Sequence, residues 1–370
     1  MIKNKIYYIT YQDFPANSAN SSQTIATCKY LNRNDYYTTL FFPLRSSNSS
    51  DNQEEIKNFY EIKDDYFSIK GIEHKTNFKE RKILKRLGYI FGHAYWSLQA
   101  CKYVLKNYDK PQYFFTRSDW VFYFLSKKKF NVVYECHQIT QLRKLLLRKA
   151  IKSKHSKIIF LNEFLLKDSK IRHKYKRQYI IQNNGYDSDF FYNKNTKKSK
   201  NVIFAGNLIR LGQSRDIDFI IDAFNDNRLK DFRLKIIGGN EAISSSFQSK
   251  YSNYKNVQFI NHQSKEVLST YLNESDIALL LNAKNRHSMF YTDPLKFYEY
   301  IACGLKIVGA NFPSHQKLLK YKNLYLFEYG NKDSFIEVIL KTSINEFTNE
   351  GNLPLIDINK RVKNIINFIK

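Results

Sequence analysis

The stretch from Ile277 to Ala310 restricts the fold more than any other part of this chain. Ile277 to Asn282 (IALLLN) is an apolar run that reads as a buried strand. Asp293 is a good N-cap and Pro294 a good first helical residue, while Leu295, Tyr298 and Ala302 share one helical face. Gly304 stands where that helix would end, and a second apolar run, Leu305 to Ala310, follows at once. The unit is therefore strand, loop, short helix, strand. In an open parallel sheet, ligands collect outside the carboxyl ends of the strands, near helix N-termini. Lys296, in the first turn of the expected helix, and Glu299, three residues on, are candidates for such a site. Taken alone, a Lys–Glu pair at this spacing is also a common surface arrangement.

The same alternation runs through the rest of the chain. Strands are expected at Lys5–Tyr11, Thr38–Phe42, Tyr113–Thr116, Val132–Glu135, Lys157–Leu161 and Gln178–Gln182. A small-polar loop, Asp13 to Ser22, precedes a helix from about Gln23 to Asn32, and residues 46–55 read as a polar, mobile loop. Lys79 to Lys106 has helical spacing, with Gly88 and Gly92 as points of kinking. Residues 193–200 (NKNTKKSK) have no apolar residue and read as a linker. Beyond them, strands at Asn201–Ala205, Leu234–Ile237, Val257–Ile260 and Leu324–Phe327 alternate with helices at Ile217–Phe224, Val267–Asn273 and near 333–342, and a final helix spans 357–370. The expected fold class is α/β, with two Rossmann-like doubly wound domains facing a cleft. The first covers 1–192, with the helix at 357–370 returning to it, and the second covers 201–345.

Composition excludes several alternatives. The chain has 370 residues, 43% of them hydrophobic, which suffices for two cores of ordinary size. No apolar run approaches the roughly 20 residues of a membrane span, and the start, MIKNKIYYITY, lacks the pattern of a signal peptide. The four cysteines, Cys28, Cys101, Cys136 and Cys303, form no CxxC pair, so reduced thiols and a cytoplasmic location are expected. No zinc signature and no nucleic-acid-binding module is visible. Net charge is +26, and residues 1–192 hold 34 Lys/Arg against 17 Asp/Glu. Gln141 to Lys157 packs seven Lys/Arg among five Leu and Ile residues, and Lys79 to Arg86 adds five more basic residues. Such clusters dock on anionic lipid or are an ordinary helix packed on a sheet.

The segment Asp293-Pro294-Leu295-Lys296, continuing through Glu299, Tyr300, Ala302 and Gly304, resembles the donor-sugar motif of the family 4 retaining glycosyltransferases of GT-B fold. Asp293 replaces the usual Ser. Further likenesses cover most of the chain. FPANSANSSQT resembles the loop after the first strand, which implies that Asn20, Ser21 and Ser22 lie near the donor diphosphate. Tyr134-Glu135-Cys136-His137 resembles the Y-E-x-H segment, which implies that His137 lies near the sugar in transfer. Asn184-Gly185-Tyr186-Asp187 resembles the N-G-V-D element and reads as turn chemistry. Phe204-Ala205-Gly206-Asn207-Leu208 resembles the F-x-G-x-L strand end of the donor domain, and Gly238-Gly239 resembles I-G-x-G.

The resemblance implies fixed cations for the diphosphate. The family's Arg after this glycine is Asn207 here, Arg215 best matches its Lys, and Arg210 could share the role. The Gly that usually follows that Lys is Asp216. Glu299 matches the second acid of an E-x7-E pair, which holds the ribose hydroxyls, and the first acid is replaced by Tyr291. Asp187-Ser188-Asp189 has the form of a metal-binding DxD but sits in a turn before the linker, and no metal or other cofactor is expected. By this resemblance the chain moves a sugar from a nucleotide-sugar to a saccharide or lipid-linked saccharide acceptor, with retention, in surface polysaccharide or glycolipid synthesis. The resemblance and charge together imply a cytoplasmic protein peripheral to the inner face of the membrane. The alternatives are a nucleotide-sugar epimerase of GT-B architecture and a non-catalytic lipid- or polyanion-binding protein.

Overall fold

The structure, a computed structural model, describes residues 4–45, 49–63, 67–74, 82–194, 200–210, 213–348 and 357–370, with the backbone alone at 82–87, 210, 213 and 214. The chain forms two compact units, Met1–Asn183 with Ile358–Lys370, and Asn184–Asp357. The division falls nine residues before the expected 192, because Asn184 to Phe191 pack with the second unit.

In the first unit the order is β1 (Asn4–Ile9), α1 (Ala19–Arg33), β2 (Tyr36–Leu44), α2 (Gln53–Tyr60), β3 (Ser68–Glu73), α3 (Lys82–Asn107), β4 (Tyr113–Thr116), α4 (Asp119–Lys127), β5 (Val132–Cys136), α5 (Gln141–Ala150), β6 (Ser156–Phe160), α6 (Glu163–Ser169) and β7 (Tyr179–Ile181). The seven strands are parallel in the order β3-β2-β1-β4-β5-β6-β7. Two expectations change. Helix α1 starts at Ala19 rather than Gln23, because Ser18 caps it by accepting from the Ser21 amide at 3.0 Å, so Asn20, Ser21 and Ser22 are helical. The expected loop 46–55 ends at Asn52, which caps α2 by accepting from the Glu54 and Glu55 amides; residues 46–48 lie outside the described residues. Helix α3 runs unbroken through Gly88 and Gly92, and the basic residues from Lys79 to Arg86 lie outside the described side chains.

The second unit runs β8 (Asn201–Ala205), the short hairpin β9 (Ile209–Arg210) and β10 (Gln213–Ser214), α7 (Ile217–Phe224), β11 (Arg233–Ile237), α8 (Glu241–Lys250), β12 (Val257–Ile260), α9 (Lys265–Asn273), β13 (Ile277–Leu280), α10 (Leu295–Ala302), β14 (Lys306–Ala310), α11 (Pro313–Gln316), β15 (Leu324–Phe327) and α12 (Lys332–Ile344). Its six strands are parallel in the order β12-β11-β8-β13-β14-β15. Strand order reverses between β8 and β13, which makes their carboxyl ends the switch point where doubly wound sheets take ligands. Of the expected linker, residues 195–199 lie outside the described residues, while the Lys194 amide donates to Asn273 Oδ1 at 2.7 Å and so stays with this unit.

The last helix, α13 (Ile358–Ile369), belongs to the first unit. Val362, Ile365, Ile366 and Ile369 join the core beneath β1, β2 and α1. Both units are thus Rossmann-like α/β layers, the fold class expected from the alternation.

Candidate active site

In the second unit the site is built around the exit of β8. Gly206 follows β8 and Gly238 follows the neighbouring strand β11. The two backbones are so close that a Cβ on Gly238 would lie 2.0 Å from the Gly206 carbonyl oxygen. A Cβ on Gly206 would lie 2.9 Å from Arg215 Nη1. Bare main chain therefore faces the switch point, the surface on which a diphosphate can rest. Arg215 spans that point. Its Nη2 donates to Asn282 Oδ1, beyond β13, at 2.6 Å, and its Nη1 reaches the Asn207 carbonyl at 3.5 Å. Asn207 itself is exposed. Asp216, where the family usually has Gly, has φ +58°, a conformation that Gly takes freely and Asp tolerates. Arg210 lies on β9, and its side chain is outside the described residues.

Helix α10 is fastened to the same strand. The Tyr300 hydroxyl accepts from the Ala205 amide at 3.1 Å and donates to the Ala205 carbonyl at 3.3 Å. Burial raises the Tyr300 phenol; Glu299 adds to that rise and Arg215 opposes it, so both charged groups act on one buried hydroxyl beside Gly206. Lys296 and Glu299 form the i,i+3 ion pair that their spacing allows, at 2.6 Å, with side chains 30% and 15% exposed.

Asp293 and Pro294 do not play their expected parts. Helix α10 starts at Leu295 with Pro294 in the cap position, and no side chain caps it. Asp293 is buried and looks elsewhere. Its carboxylate accepts from the Asn184 amide and from the Tyr298 hydroxyl (2.8 Å), and its carbonyl accepts from Asn184 Nδ2 at 2.6 Å. The Asn184 turn and the donor-like segment are therefore one construction. The buried face of α10 is Phe297, Tyr298, Tyr300 and Ile301, with Leu295 and Ala302 only half-buried. Tyr291 closes a single π-helical turn, His287–Tyr291, and is buried with its hydroxyl accepting from Arg286 Nε at 3.2 Å. Asp187 of the DxD look-alike is buried against Lys265 at 3.6 Å. Among the described residues, no three His, Cys, Asp or Glu side chains gather as metal ligands would.

The first unit carries a second constellation, at the carboxyl ends of β4 and β5. His137 follows β5. Its Nε2 lies 2.5 Å from Glu135 Oε1, and its Nδ1 lies 2.8 Å from Arg117 Nη2. Arg117 Nη1 and Nη2 also donate to the carbonyl and Oδ1 of Asn20 at 2.9 and 3.2 Å. Glu135 Oε2 accepts from Arg361 Nη2 at 2.8 Å, and both side chains are 1% exposed. Asn20 and His137 are thus brought into one network, while Ser21 is buried in the capping turn of α1 and Ser22 is half-buried. Burial alone would raise the Glu135 carboxyl, but Arg361, His137 and Arg117 outweigh it and hold it well below the usual range. Burial, then Arg117, push His137 down to about 3.

Arg117 and Arg361 escaped the sequence reading, since an isolated Arg carries no motif. The basic run Gln141–Lys157 also changes. Helix α5 ends at Ala150, Lys157 lies on β6, and Arg143 turns inward to Asp119 at 3.5 Å, so it is no surface charge. Arg148, Lys149 and Leu145 of α5 are exposed, as are Tyr89, Phe91 and Tyr95 of α3. Among the described residues, no helix is long and apolar enough to cross a membrane.

Residues 199–345 match the family Glycosyl transferases group 1, the part of the chain that holds Gly206, Arg215, Gly238, Lys296 and Glu299. The chain is a glycosyltransferase. No curated protein matches it in sequence. Solved structures resemble it in fold over nearly its whole length. Sucrose-phosphate synthase from Thermosynechococcus elongatus is 13% identical with a TM-score of 0.68, covering 99% of this chain and 96% of that one. Anabaena Alr3699/HepE, solved in complex with UDP and glucose, is 10% identical with a TM-score of 0.66 and 98% of each chain covered. A structure assigned to UDP-N-acetylglucosamine 2-epimerase of Listeria monocytogenes is 10% identical with a TM-score of 0.62, covering 100% of this chain and 96% of that one. The glycosyltransferase therefore has the GT-B fold. Because an epimerase shares that architecture, the family match in the second unit, and not the fold, decides for sugar transfer.

Proposed function

We propose that this glycosyltransferase moves a hexose-like sugar from a nucleoside diphosphate sugar to a saccharide or lipid-linked saccharide, retaining anomeric configuration and using no metal. The observation that carries the reading is the bare backbone at Gly206 and Gly238, flanked by Arg215 and by the Lys296–Glu299 pair on a helix pinned to β8. In this reading the diphosphate lies on the Gly206 main chain, Arg215 and Lys296 meet the negative charge that grows on the leaving group, and Glu299 accepts from the ribose hydroxyls. The acceptor oxygen bonds to the anomeric carbon as the carbon–phosphate-oxygen bond breaks, on one face of the sugar. The acceptor's proton passes to the leaving phosphate oxygen.

The acceptor belongs with the first unit, near Asn20, Arg117 and His137. Exposed Arg148, Lys149 and Leu145 on α5, with Tyr89, Phe91 and Tyr95 on α3, support a cytoplasmic enzyme that docks on anionic lipid and builds a surface polysaccharide or glycolipid. A panel of nucleotide-sugars read by thermal shift tests the donor site, beginning with UDP-sugars because the similar Anabaena protein was solved with UDP. Stabilisation by one nucleotide series is expected, and none by any would refute the donor assignment. Proton NMR of the product then tests retention: an inverted product would overturn the one-face mechanism.

A further inference from the structure

We propose that Arg117 and Arg361 are positioning residues that hold His137 as the neutral ring with its proton on Nε2, so that His137 links Glu135 to Arg117 in the active site and takes no part in proton transfer. The active-site role rests on the function proposed above; the state of the ring rests on geometry alone. A guanidinium offers only donors and an ionised carboxylate only acceptors. Nδ1 faces Arg117 Nη2 at 2.8 Å, so it must present its lone pair. Nε2 faces Glu135 Oε1 at 2.5 Å, so it must carry the hydrogen. The other tautomer would set one N–H against another and a lone pair against a carboxylate.

The doubly protonated ring is excluded by the same neighbours. The charged groups that act on the ring are Arg117 at the end of β4, Glu135 on β5 and Arg361 on α13. With a neutral ring these sum to one positive charge, and protonation would make two in a place where Glu135 and Arg361 are 1% exposed. Two of the three are tied to further partners. Arg117 is held by Asn20 and by Thr24 Oγ1 at 3.3 Å, and Arg361 Nε donates to the Asn183 carbonyl at 3.0 Å. The one ring lone pair that could accept a proton from an acceptor hydroxyl, on Nδ1, is thereby occupied, which leaves the donor phosphate as the proton's destination.

The test uses the full chain labelled with ¹⁵N-histidine, with the His137 signals assigned by their loss in His137→Gln. The expected spectrum is the neutral Nε2–H form, unchanged from pH 8 to pH 5, the interval in which an ordinary histidine titrates. In Arg117→Met one cation and the donor to Nδ1 are gone while Glu135 remains, so the ring should titrate within that interval, and the pH profile of transfer should gain an ionisation that the wild type lacks. Arg117→Lys, which keeps the charge, should restore the silent ring. A wild-type ring that carries its proton on Nδ1, or that titrates between pH 5 and 8, overturns the proposal, and so does an Arg117→Met ring that stays silent. If Arg117→Met fails to fold, the wild-type spectrum decides alone. A locked ring in a chain that stabilises with no nucleotide-sugar would remove the proposed function and leave this inference standing.

Discussion

Replacing Gly238 with Ala strikes the proposed donor site where the main chains beyond β8 and β11 meet. The new Cβ would lie 2.0 Å from the Gly206 carbonyl oxygen, against ordinary contact from 3.4 Å upward, so β8 and β11 must part by about 1.4 Å at their exits. The obstacle is backbone and cannot rotate away. Parting the strands also strains the bond from the Gly206 amide to the Ile237 carbonyl, now 2.9 Å. Overpacking costs about 1–3 kcal/mol, a lost backbone bond about 1, and an L-residue at φ +142° another 1–2. Together they predict a loss of about 3–6 kcal/mol from the second unit. Gly330 supplies the control: its φ is +81°, and nothing lies within 4 Å of an added Cβ, so Gly330→Ala should cost only the strain, about 1–2 kcal/mol. Urea unfolding of both variants, with nucleotide-sugar thermal shift on each, measures the difference. Equal destabilisation by the two substitutions would refute the claim that close approach of main chains shapes this site.

Other outcomes follow from the same geometry. Glu299→Gln should weaken donor binding roughly tenfold by halving the acceptor capacity offered to the ribose, and Lys296→Ala should do the same through the diphosphate; calorimetry with both variants folded and unchanged affinity would remove them from the site. Acid should destabilise the enzyme early. Burial depresses His93, His137 and His315 to about 3, about 3 and about 4, below the ordinary 6.5, so the unfolded chain takes up protons first. Their stabilisation is complete above about pH 6.5 and falls away toward pH 4, by roughly 1.4 kcal/mol per histidine at pH 5.5, and a flat urea midpoint between pH 7.5 and 5.5 would contradict it. Binding to anionic vesicles should fall steeply with salt and with Arg148→Ser and Lys149→Ser together, whereas indifference to vesicles at low salt would make these charges a solvated face.

The alternation of apolar runs and punctuating Gly, Pro and Asn made the doubly wound layers legible, and the strands at Asn201–Ala205 and Leu324–Phe327 lie where they were expected. Elements that lack a contrast of faces were missed. Helix α4 (DWVFYFLSK) is apolar nearly all round, α8 (EAISSSFQSK) is serine-rich, and β3 (SIKGIE) is a short edge strand carrying charge. At the site, Gly206, Gly238 and the α10 segment were visible because glycine and a Pro-Leu-Lys string are local signals. The partners were not. Nothing near Asp293 announces Asn184, 109 positions away, and it is that contact which takes the aspartate from the helix cap. Nor does Thr116-Arg117-Ser118 differ from any turn until β4 sets it beside His137.

The return of α13 imposes an order on biosynthesis. The first unit buries the Glu135 carboxylate, and its guanidinium partner lies 226 positions later, on a helix that also supplies Val362, Ile365 and Ile369 to that core. A nascent chain therefore exposes an unfinished hydrophobic surface and an unmatched buried charge for as long as residues 184–357 are being made. At about 5–20 residues per second that interval lasts on the order of ten seconds or more, during which the second unit can fold as an uninterrupted stretch. Early ribosomal release, or a stop codon before Arg361, should hand chaperones and proteases a first unit that has every strand of its sheet and no means of closing its core.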